Sequence, residues 1–431
     1  MTLIFTSLLL ILGFAYVGNK QDVMSPGVLI TFSFLFSSCW ALAYTKAWSL
    51  EPSVQTILVI ILGVFEFVVV TFVISQVMDN SIIKNKGLYW VDVSKLKLVL
   101  VLLIEILITL IAISSIKRVT GVSNISDAIY VYRRTSLFST HGFALPKMVY
   151  IGHYFCNAAG YFFGYILIKK LILLKKMDWL CIAVVVVSGY ESTLYGSRTG
   201  LFMLLFGLVA YWYLLKRIYV GRQLKIKTKY YIMGAFGLTA FLATFKQLAI
   251  LLGREVSASA FDYLAIYLGA EIKNLDIFIS QNRFPITTDI AHSQTFIFLS
   301  SFLAKLFGKP FVSYKLDLPF QSVNGFNLGN VYTMFYQFLY DMGYAGVFIF
   351  TLLMAVIVQI IYSKAKAFRD NGKVSYSILL YGYIVNTFVL AFFSDKFYEL
   401  VANSSFFYIV LFWVALNTLF YGSPKGIRTK Q

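Results

Sequence analysis

Arginine is the residue type whose chemistry is most informative in this sequence. Its guanidinium group stays protonated, is planar and presents five N–H donors, so it binds pairs of phosphate oxygens. When the lysine-rich segments are placed on the cytoplasmic side of a membrane, as argued below, several arginines fall on the opposite side. Such a group suits the head group of a lipid diphosphate, and the alternative for each member is an ion pair with a nearby carboxylate or lipid phosphate. The group consists of Arg133, Arg134, Arg198, Arg254 and Arg283.

Arg198 has the most specific surroundings of the group. It lies in a short polar segment between two apolar stretches, and residues 191–200 read ESTLYGSRTG. If this segment is helical, then Glu191, Tyr195 and Arg198 share one face. The carboxylate and the guanidinium on that face would orient a sugar hydroxyl and a phosphate, respectively. A structural ion pair between the two is the alternative interpretation.

Tyrosines recur at helical spacing ahead of a later apolar stretch. Tyr332, Tyr336 and Tyr340 are four residues apart and would line one side of a helix. Flat aromatic faces pack against sugar rings, but tyrosines also mark membrane interfaces in general. The spacing therefore predicts either a sugar platform or an interfacial belt.

Histidines and intramembrane acids are the remaining groups able to transfer protons. His141 and His292 are predicted on the outer side and titrate near neutrality. His153 falls within an apolar stretch and is interpreted as a hydrogen-bonded core residue. Glu66 and Glu105 lie midway along apolar stretches, where a carboxylate is costly, so both must face the protein interior.

The composition predicts an all-α, polytopic integral membrane protein. Hydrophobic residues make up 59% of the chain and charged residues 13%, with a mean hydropathy of +0.77. Uncharged blocks of roughly 20 residues recur, which is the length that crosses a bilayer as a helix. We predict about eleven spans, at 2–18, 26–45, 54–78, 96–116, 148–168, 179–195, 199–215, 229–252, 343–362, 374–394 and 402–421.

Lysine-rich linkers predict the orientation of these spans. Placing the linkers inside puts the C-terminus in the cytoplasm and exports two long segments, 117–147 and 253–342. Apolar residues recur at helical spacing over 299–306, which predicts an interfacial or re-entrant helix in the second segment. The sequence is accordingly divided into an N-terminal helix bundle (1–252), the large outer segment, and C-terminal helices with a cytoplasmic tail (343–431).

Several classes of chemistry find no support in the sequence. Fingerprints for nucleotide, dinucleotide, metalloprotease and serine hydrolase sites are missing from it. Cys39, Cys156 and Cys181 lie in apolar stretches without C-x-x-C spacing, which indicates neither a disulfide framework nor a metal site. The net charge of +18 gathers at helix ends and is topological, so no nucleic-acid partner is expected. The sequence predicts no metal and no cofactor.

Three features together resemble a known family. YGSRTG at 195–200 opens an apolar helix, the large outer segment follows, and GNVYTMFY at 329–336 leads into YDMGYAG at 340–346. This combination resembles the Wzy-type polymerases of O-antigen and capsule repeat units. The resemblance covers most of the chain in topology, and about 30 residues carry the motifs.

The resemblance implies a membrane glycosyltransferase, similar to the GT-C class, in the bacterial inner membrane. Such an enzyme joins oligosaccharide repeat units on undecaprenyl diphosphate at the periplasmic face, without a metal, and undecaprenyl diphosphate is the leaving group. The outer arginines would offset the charge on that leaving group as the glycosidic carbon becomes oxocarbenium-like. The implied partners are the lipid-linked oligosaccharides, membrane lipids and a chain-length regulator.

The resemblance also assigns site residues. Arg198 matches the family's Ser-Arg-x-Gly element, and Asp341 matches the acidic position before its Gly-x-x-Gly. Arg254 is assigned because the family depends on arginines in its large loop, and Glu191 completes the catalytic set. The base for the acceptor hydroxyl stays open among Glu191, Asp262, Asp276 and His292. The predicted substrate-binding residues are Arg133, Arg134, Arg283, Tyr195, His292, Asn330 and Tyr336.

Two other functions remain as alternatives. An O-antigen ligase is also a multispanning enzyme with a large outer segment and outer arginines. A flippase or transporter of lipid-linked oligosaccharide would also be polytopic and basic, but transporters keep ionisable groups near the middle of the membrane. The Gly-Asn-x-x-Thr to Asp-x-Gly stretch favours the polymerase over the ligase.

Overall fold

Helices dominate the computed structural model of the chain. It describes residues 1–79, 87–138, 143–197, 199–221, 259–287, 293–300 and 316–422, with scattered positions between 224 and 247. The helices are α1 (Thr2–Gly18), α2 (Pro26–Ala43), α3 (Val54–Asp79), α4 (Lys95–Thr120), α5 (Ile125–Phe138), α6 (Lys147–Leu174), α7 (Trp179–Thr193), α8 (Thr199–Val220), α9 (Ala260–Leu268), α10 (Ala270–Gln281), α11 (Phe335–Lys366), α12 (Tyr376–Val389), α13 (Lys396–Val401) and α14 (Ser404–Tyr421).

Within the described part of the chain, seven helices are long and apolar enough to cross a membrane, namely α2, α3, α4, α6, α8, α11 and α14. Shorter apolar helices are α1, α7 and α12. These helices agree with the prediction of a helical membrane protein. Ten of the eleven predicted spans coincide with a helix, and the remaining one, 229–252, lies largely outside the described residues. The number of spans and their orientation stay predictions.

Local chemistry explains where several helices begin and end. Pro26 occupies the first turn of α2, where a missing N–H costs nothing. Asp178 caps α7 by accepting a hydrogen bond from the Cys181 amide, at 3.3 Å. Gly121 ends α4 in the left-handed conformation, with φ of +70°. Inside α11, Gly343 has φ of +62° and ψ of −146°, so this helix is broken there.

The chain divides into two compact units, each made from separate stretches of sequence. The first unit comprises Met1–Ile83, Phe261–Lys364 and Ile384–Phe406. The second comprises Lys84–Ala260, Ala365–Tyr383 and Phe407–Gln431. The predicted division follows loop lengths along the chain, whereas these units follow contacts in space.

Close helix packing fills the first unit. The ring of Phe335 lies where a side chain at Gly63 would be, because an added Cβ there would come within 2.5 Å of it. Phe34 contacts the same ring, with centroids 5.4 Å apart. Segment 253–342 also forms a small antiparallel hairpin of β1 (Gln321–Val323) and β2 (Phe326–Gly329). The all-α prediction does not include these strands.

Helix α6 is central to the second unit, where it packs against α4, α7 and α8. A close approach at Gly160 is essential to this packing, since an added Cβ would lie 2.7 Å from the Ser188 Cβ. Small residues of this kind let membrane helices approach closely. The consequence for the site is that the α7 residues around Ser188 are held directly against α6.

Helix α5 lies within segment 117–147, for which the sequence predicts an outer location and no helix. One side is buried, through Ala128, Ile129 and Tyr132, which pack in a hydrophobic cluster with residues of α4 and α6. The predicted interfacial helix over 299–306 lies outside the described residues beyond position 300.

Candidate functional site

A polar site in the second unit begins where α5 meets the segment after α7. The helix α7 ends at Thr193, and Gly196 follows with φ of +74°, which is the left-handed region. An added Cβ at Gly196 would lie 2.7 Å from both Cβ and Cδ of Arg133. The aliphatic stem of Arg133 therefore lies directly on the Gly196 backbone. The predicted binding residue Arg133 is thus brought against the YGSRTG segment, which the resemblance also assigns to the site.

Glu191 is the hub of hydrogen bonds in this site. Its Oε2 lies 2.8 Å from His153 Nδ1, and its Oε1 accepts a hydrogen bond of 2.9 Å from the Tyr195 hydroxyl. The Glu191 side chain is fully buried, while the His153 side chain is 23% exposed. The rings of His153 and Tyr195 are 4.4 Å apart. Glu191 and Tyr195 are therefore in contact, although the helix ends at Thr193 and the predicted helical face extending to Arg198 lies partly outside the described residues.

The same α7 face carries a second buried acid contact. Ser188 Oγ is 2.7 Å from Glu105 Oε1 and 2.9 Å from the Cys156 carbonyl oxygen. Glu105 is fully buried, which confirms that it faces the protein interior. Its Oε2 has no hydrogen-bond partner among the described residues. Burying a carboxyl with so few partners is costly, so the site is chemically unusual.

Tyrosines line the edge of the site nearest α5. The Tyr132 and Tyr150 hydroxyls are 3.4 Å apart, and burial together with this contact raises the pKa of Tyr132 above its usual value of 10.0. Arg134 is exposed, and its Nη1 donates to the Tyr130 hydroxyl at 3.4 Å. Arg134 therefore presents its charge outside the cluster, unlike half-buried Arg133.

In the first unit, Asp341 anchors a neighbouring segment. Its carboxylate accepts hydrogen bonds from the Ser293 hydroxyl, the Gln294 amide and the Thr295 amide, at 2.6, 2.7 and 2.8 Å. Three donors occupy most of its lone pairs. These contacts give Asp341 a structural task, and its predicted catalytic role stays a prediction.

The tyrosine series is also part of the core of the first unit. The Tyr332 hydroxyl donates to the Pro319 carbonyl at 2.8 Å, the Tyr336 hydroxyl to the Asp317 carbonyl, and the Tyr340 hydroxyl to the Asp317 carboxylate at 3.1 Å. Tyr336 is 1% exposed. Tyr336 is therefore packed in the interior of this unit, and its predicted substrate-binding role stays a prediction.

The other predicted residues are placed as follows. Arg283 is exposed after α10, and Asn330 is partly buried between β2 and α11. Of the candidate bases, Asp262 accepts the Tyr44 hydroxyl at 2.7 Å, and Asp276 accepts the Ser53 amide at 2.8 Å and the Thr56 hydroxyl at 2.9 Å. Outside the described residues lie Arg198, Arg254, His141 and His292.

His153 is the residue that sequence reasoning underestimated. It lies near the beginning of the predicted span 148–168, and Glu191 lies near the end of the next span, 179–195. Consecutive spans joined by a short loop run antiparallel, so these two positions come to the same end of the helix pair. The sequence therefore allowed the prediction that His153 and Glu191 lie at the same end of the helix pair, provided that the two spans were considered together.

Among the described residues, no group of three or more His, Cys, Asp or Glu side chains is arranged to hold a metal ion. The site instead contains an arginine, a histidine–glutamate pair and tyrosine hydroxyls. Arginine guanidinium groups bind anions, and histidines transfer protons. Comparisons of the chain with family models, with curated proteins and with solved structures found no match.

Proposed function

We propose that the chain is a membrane glycosyltransferase that joins undecaprenyl-diphosphate-linked oligosaccharide repeat units into a polysaccharide. An oxygen of the incoming unit forms a bond to the reducing-end sugar carbon of the growing chain. The bond from that carbon to the diphosphate breaks, and undecaprenyl diphosphate leaves with the electron pair. The proton of the acceptor hydroxyl passes to the His153–Glu191 pair.

The observation that carries this proposal is the packing of Arg133 on Gly196. Gly196 belongs to the YGSRTG segment that the resemblance assigns to the site, so a predicted substrate-binding arginine packs directly on that segment. A guanidinium group beside this segment suits the phosphate oxygens of a lipid diphosphate. The apolar helices of the same unit would accommodate the polyprenyl chain.

The His153–Glu191 pair supplies the second part of the mechanism. A neutral imidazole whose Nδ1–H is held by a buried carboxylate keeps Nε2 as the acceptor. Among the described residues, Nε2 makes no hydrogen bond. Such a nitrogen is suited to take a proton from a sugar hydroxyl.

Reconstitution with purified lipid-linked repeat units tests the proposal. We expect a ladder of products from the wild-type protein and none from Arg198→Ala, Arg254→Ala or Arg133→Ala, with partial rescue by the Arg→Lys variants because lysine keeps the charge but not the fork. Arg369→Ala is the matched control, since Arg369 is an exposed arginine elsewhere in the second unit. Wild-type chain lengths in the three alanine variants would refute the assignment of these residues.

A deletion strain distinguishes the polymerase from the ligase alternative. Loss of polymerisation leaves lipopolysaccharide with a single repeat unit, whereas loss of ligation leaves the rough core alone. The second result would replace the polymerase by the ligase.

Buried ionisable groups favour a transporter as the second candidate. Besides Glu105 and Glu191, the second unit contains Lys169 of α6, whose Nζ lies 2.7 Å from Asp370 Oδ2, with both side chains nearly inaccessible. Charged groups inside membrane helices often mark substrate or ion pathways. Movement of a fluorescent lipid-linked oligosaccharide across vesicles, without bond formation, would establish this alternative.

A further inference from the structure

Two buried acids of the second unit lie in adjacent layers of the same helix interface. On α7, Ser188 and Glu191 are three residues apart and therefore share a face, as do His153 and Cys156 on α6. Glu191 and His153 form one layer, at 2.8 Å. Glu105 of α4 forms the next layer with Ser188 and the Cys156 carbonyl. The layers are one helical turn apart, about 5 Å.

Counting hydrogens at Ser188 indicates where a proton resides. The Ser188 hydroxyl has one hydrogen but lies within 2.9 Å of two oxygen atoms, on Cys156 and Glu105. The Cys156 carbonyl can only accept, whereas Glu105 Oε1 accepts as a carboxylate and its hydroxyl donates as a carboxylic acid. Only a hydrogen on Glu105 lets both contacts be full hydrogen bonds, with Ser188 donating to Cys156 and accepting from Glu105. This arrangement fits Glu105 as a carboxylic acid.

Glu191 has the opposite environment. Both of its oxygens accept from donors, one from His153 Nδ1 and one from the Tyr195 hydroxyl. Glu191 therefore has the contacts of a carboxylate, whereas Glu105 Oε2 has no hydrogen-bond partner among the described residues. On this geometry the two acids hold one proton between them at rest, on Glu105.

His153 connects this pair with the outside of the unit. Glu105 and Glu191 are fully buried, whereas the His153 side chain is 23% exposed. An imidazole can bind a proton on either ring nitrogen, and the contact with Glu191 offers a direct transfer step. Among the described residues, the Cys156 thiol and the Tyr195 phenol also face the pair.

We propose that Glu105 and Glu191 form a proton-binding site inside the membrane, which exchanges with solvent through His153. On loading, His153 takes a proton from hydronium and passes it to Glu191, and unloading reverses these steps. The pair therefore cycles between one and two protons, and no co-reactant is needed. This site goes beyond the proposed glycosyl transfer, which makes no use of Glu105, and it would link any motion of the second unit to proton uptake.

Infrared spectroscopy of the purified protein in lipid tests the site without any glycosyl substrate. At neutral pH we expect a carboxylic-acid C=O band that disappears in Glu105→Gln. The Gln amide still donates to Ser188, so the variant retains the contact. Asp178→Asn is the matched control, because Asp178 is an ion-paired carboxylate beside Lys170 and should leave the band unchanged. If Glu105→Gln instead keeps the acid band and loses intensity from the carboxylate region, Glu105 is ionised and the proposal is overturned.

Two further variants keep the test decisive if Glu105→Gln does not fold. In Ser188→Ala the acid loses its acceptor, so its C=O band should shift to higher frequency. In His153→Gln, deuterium exchange of the acid should slow on the order of 100-fold, because a positioned proton carrier is lost. An unshifted band, unchanged exchange, or a band that responds to Na⁺ and not to pH would each overturn the proposal.

Discussion

Replacement of Asp341 by Asn separates a structural from a catalytic role for this residue. The Asp341 carboxylate accepts three hydrogen bonds from residues 293–295, at 2.6, 2.7 and 2.8 Å. An amide has one acceptor oxygen, which can keep the bond from the Gln294 amide. Its NH₂ group then faces the Thr295 N–H, so the charge-assisted hydrogen bond from Thr295 is lost. The hydrogen bond from Gln294 remains, but its acceptor is now neutral.

The expected cost follows from these contacts. A hydrogen bond to a charged group contributes about 1.5–3 kcal/mol, so the substitution should weaken the attachment of residues 293–295 by roughly 3 kcal/mol. That free energy corresponds to roughly a 100-fold larger open population of the segment. Hydrogen exchange of the Gln294 and Thr295 amides measures this population directly.

The control is Asp92→Asn, because Asp92 is exposed and, among the described residues, accepts the Trp90 indole N–H at 2.8 Å. We expect unchanged exchange at residues 293–295 in this variant. Unchanged exchange in Asp341→Asn as well would refute the anchoring argument. If exchange is unchanged but chain extension is lost, Asp341 acts in catalysis as the family resemblance implies.

Three further substitutions give separate tests. Gly196→Ala should lower stability by about 1–2 kcal/mol because of its φ of +74°, and should reduce activity by displacing Arg133; denaturation in detergent and product ladders measure both effects. Lys169→Met leaves Asp370 buried without its cation, so the free energy of unfolding should fall by about 3–5 kcal/mol. Burial raises the pKa of Glu271 well above its usual 4.5. The native state therefore holds a proton that the unfolded state releases, and the free energy of unfolding falls as the pH rises above 4.5. Glu271→Gln should remove this pH dependence, measured as unfolding midpoints between about pH 5 and 8.

The length of the uncharged apolar blocks made the helices predictable. Capping residues such as Asp178 and Gly121 explain where some of them begin and end. A chain of uncharged blocks has few alternatives to membrane helices, because lipid leaves backbone groups no other partners. Helix α5 escaped prediction because its buried side is narrow, limited to Ala128, Ile129 and Tyr132, and Arg133 and Arg134 follow directly after it. The hairpin β1–β2 escaped because seven residues of strand give too short an alternation to recognise.

The site was predictable only in part, for a physical reason. Glu191 and Tyr195 are only four residues apart, at the end of α7 and in the turn that follows it, so their contact is local in sequence. The partners His153 and Ser188 depend on which faces of α4, α6 and α7 meet, and sequence periodicity says little when a helix is apolar all round. Tyr336 shows a related difficulty, because a regular aromatic spacing is compatible with both a surface platform and a packed core.

The long separation of contacts in the first unit bears on biosynthesis. The Tyr362 hydroxyl donates to Asp22 across 340 residues of sequence, and Asn324 reaches the carbonyl of Ala47 across 277. The segments around α1 and α2 are therefore synthesised long before these partners exist. At about 5–20 residues per second, the wait is on the order of tens of seconds. During that interval Asp22 and Ala47 lack these contacts, so slow translation should prolong the exposure of the early helices to proteases and reduce the yield of intact protein.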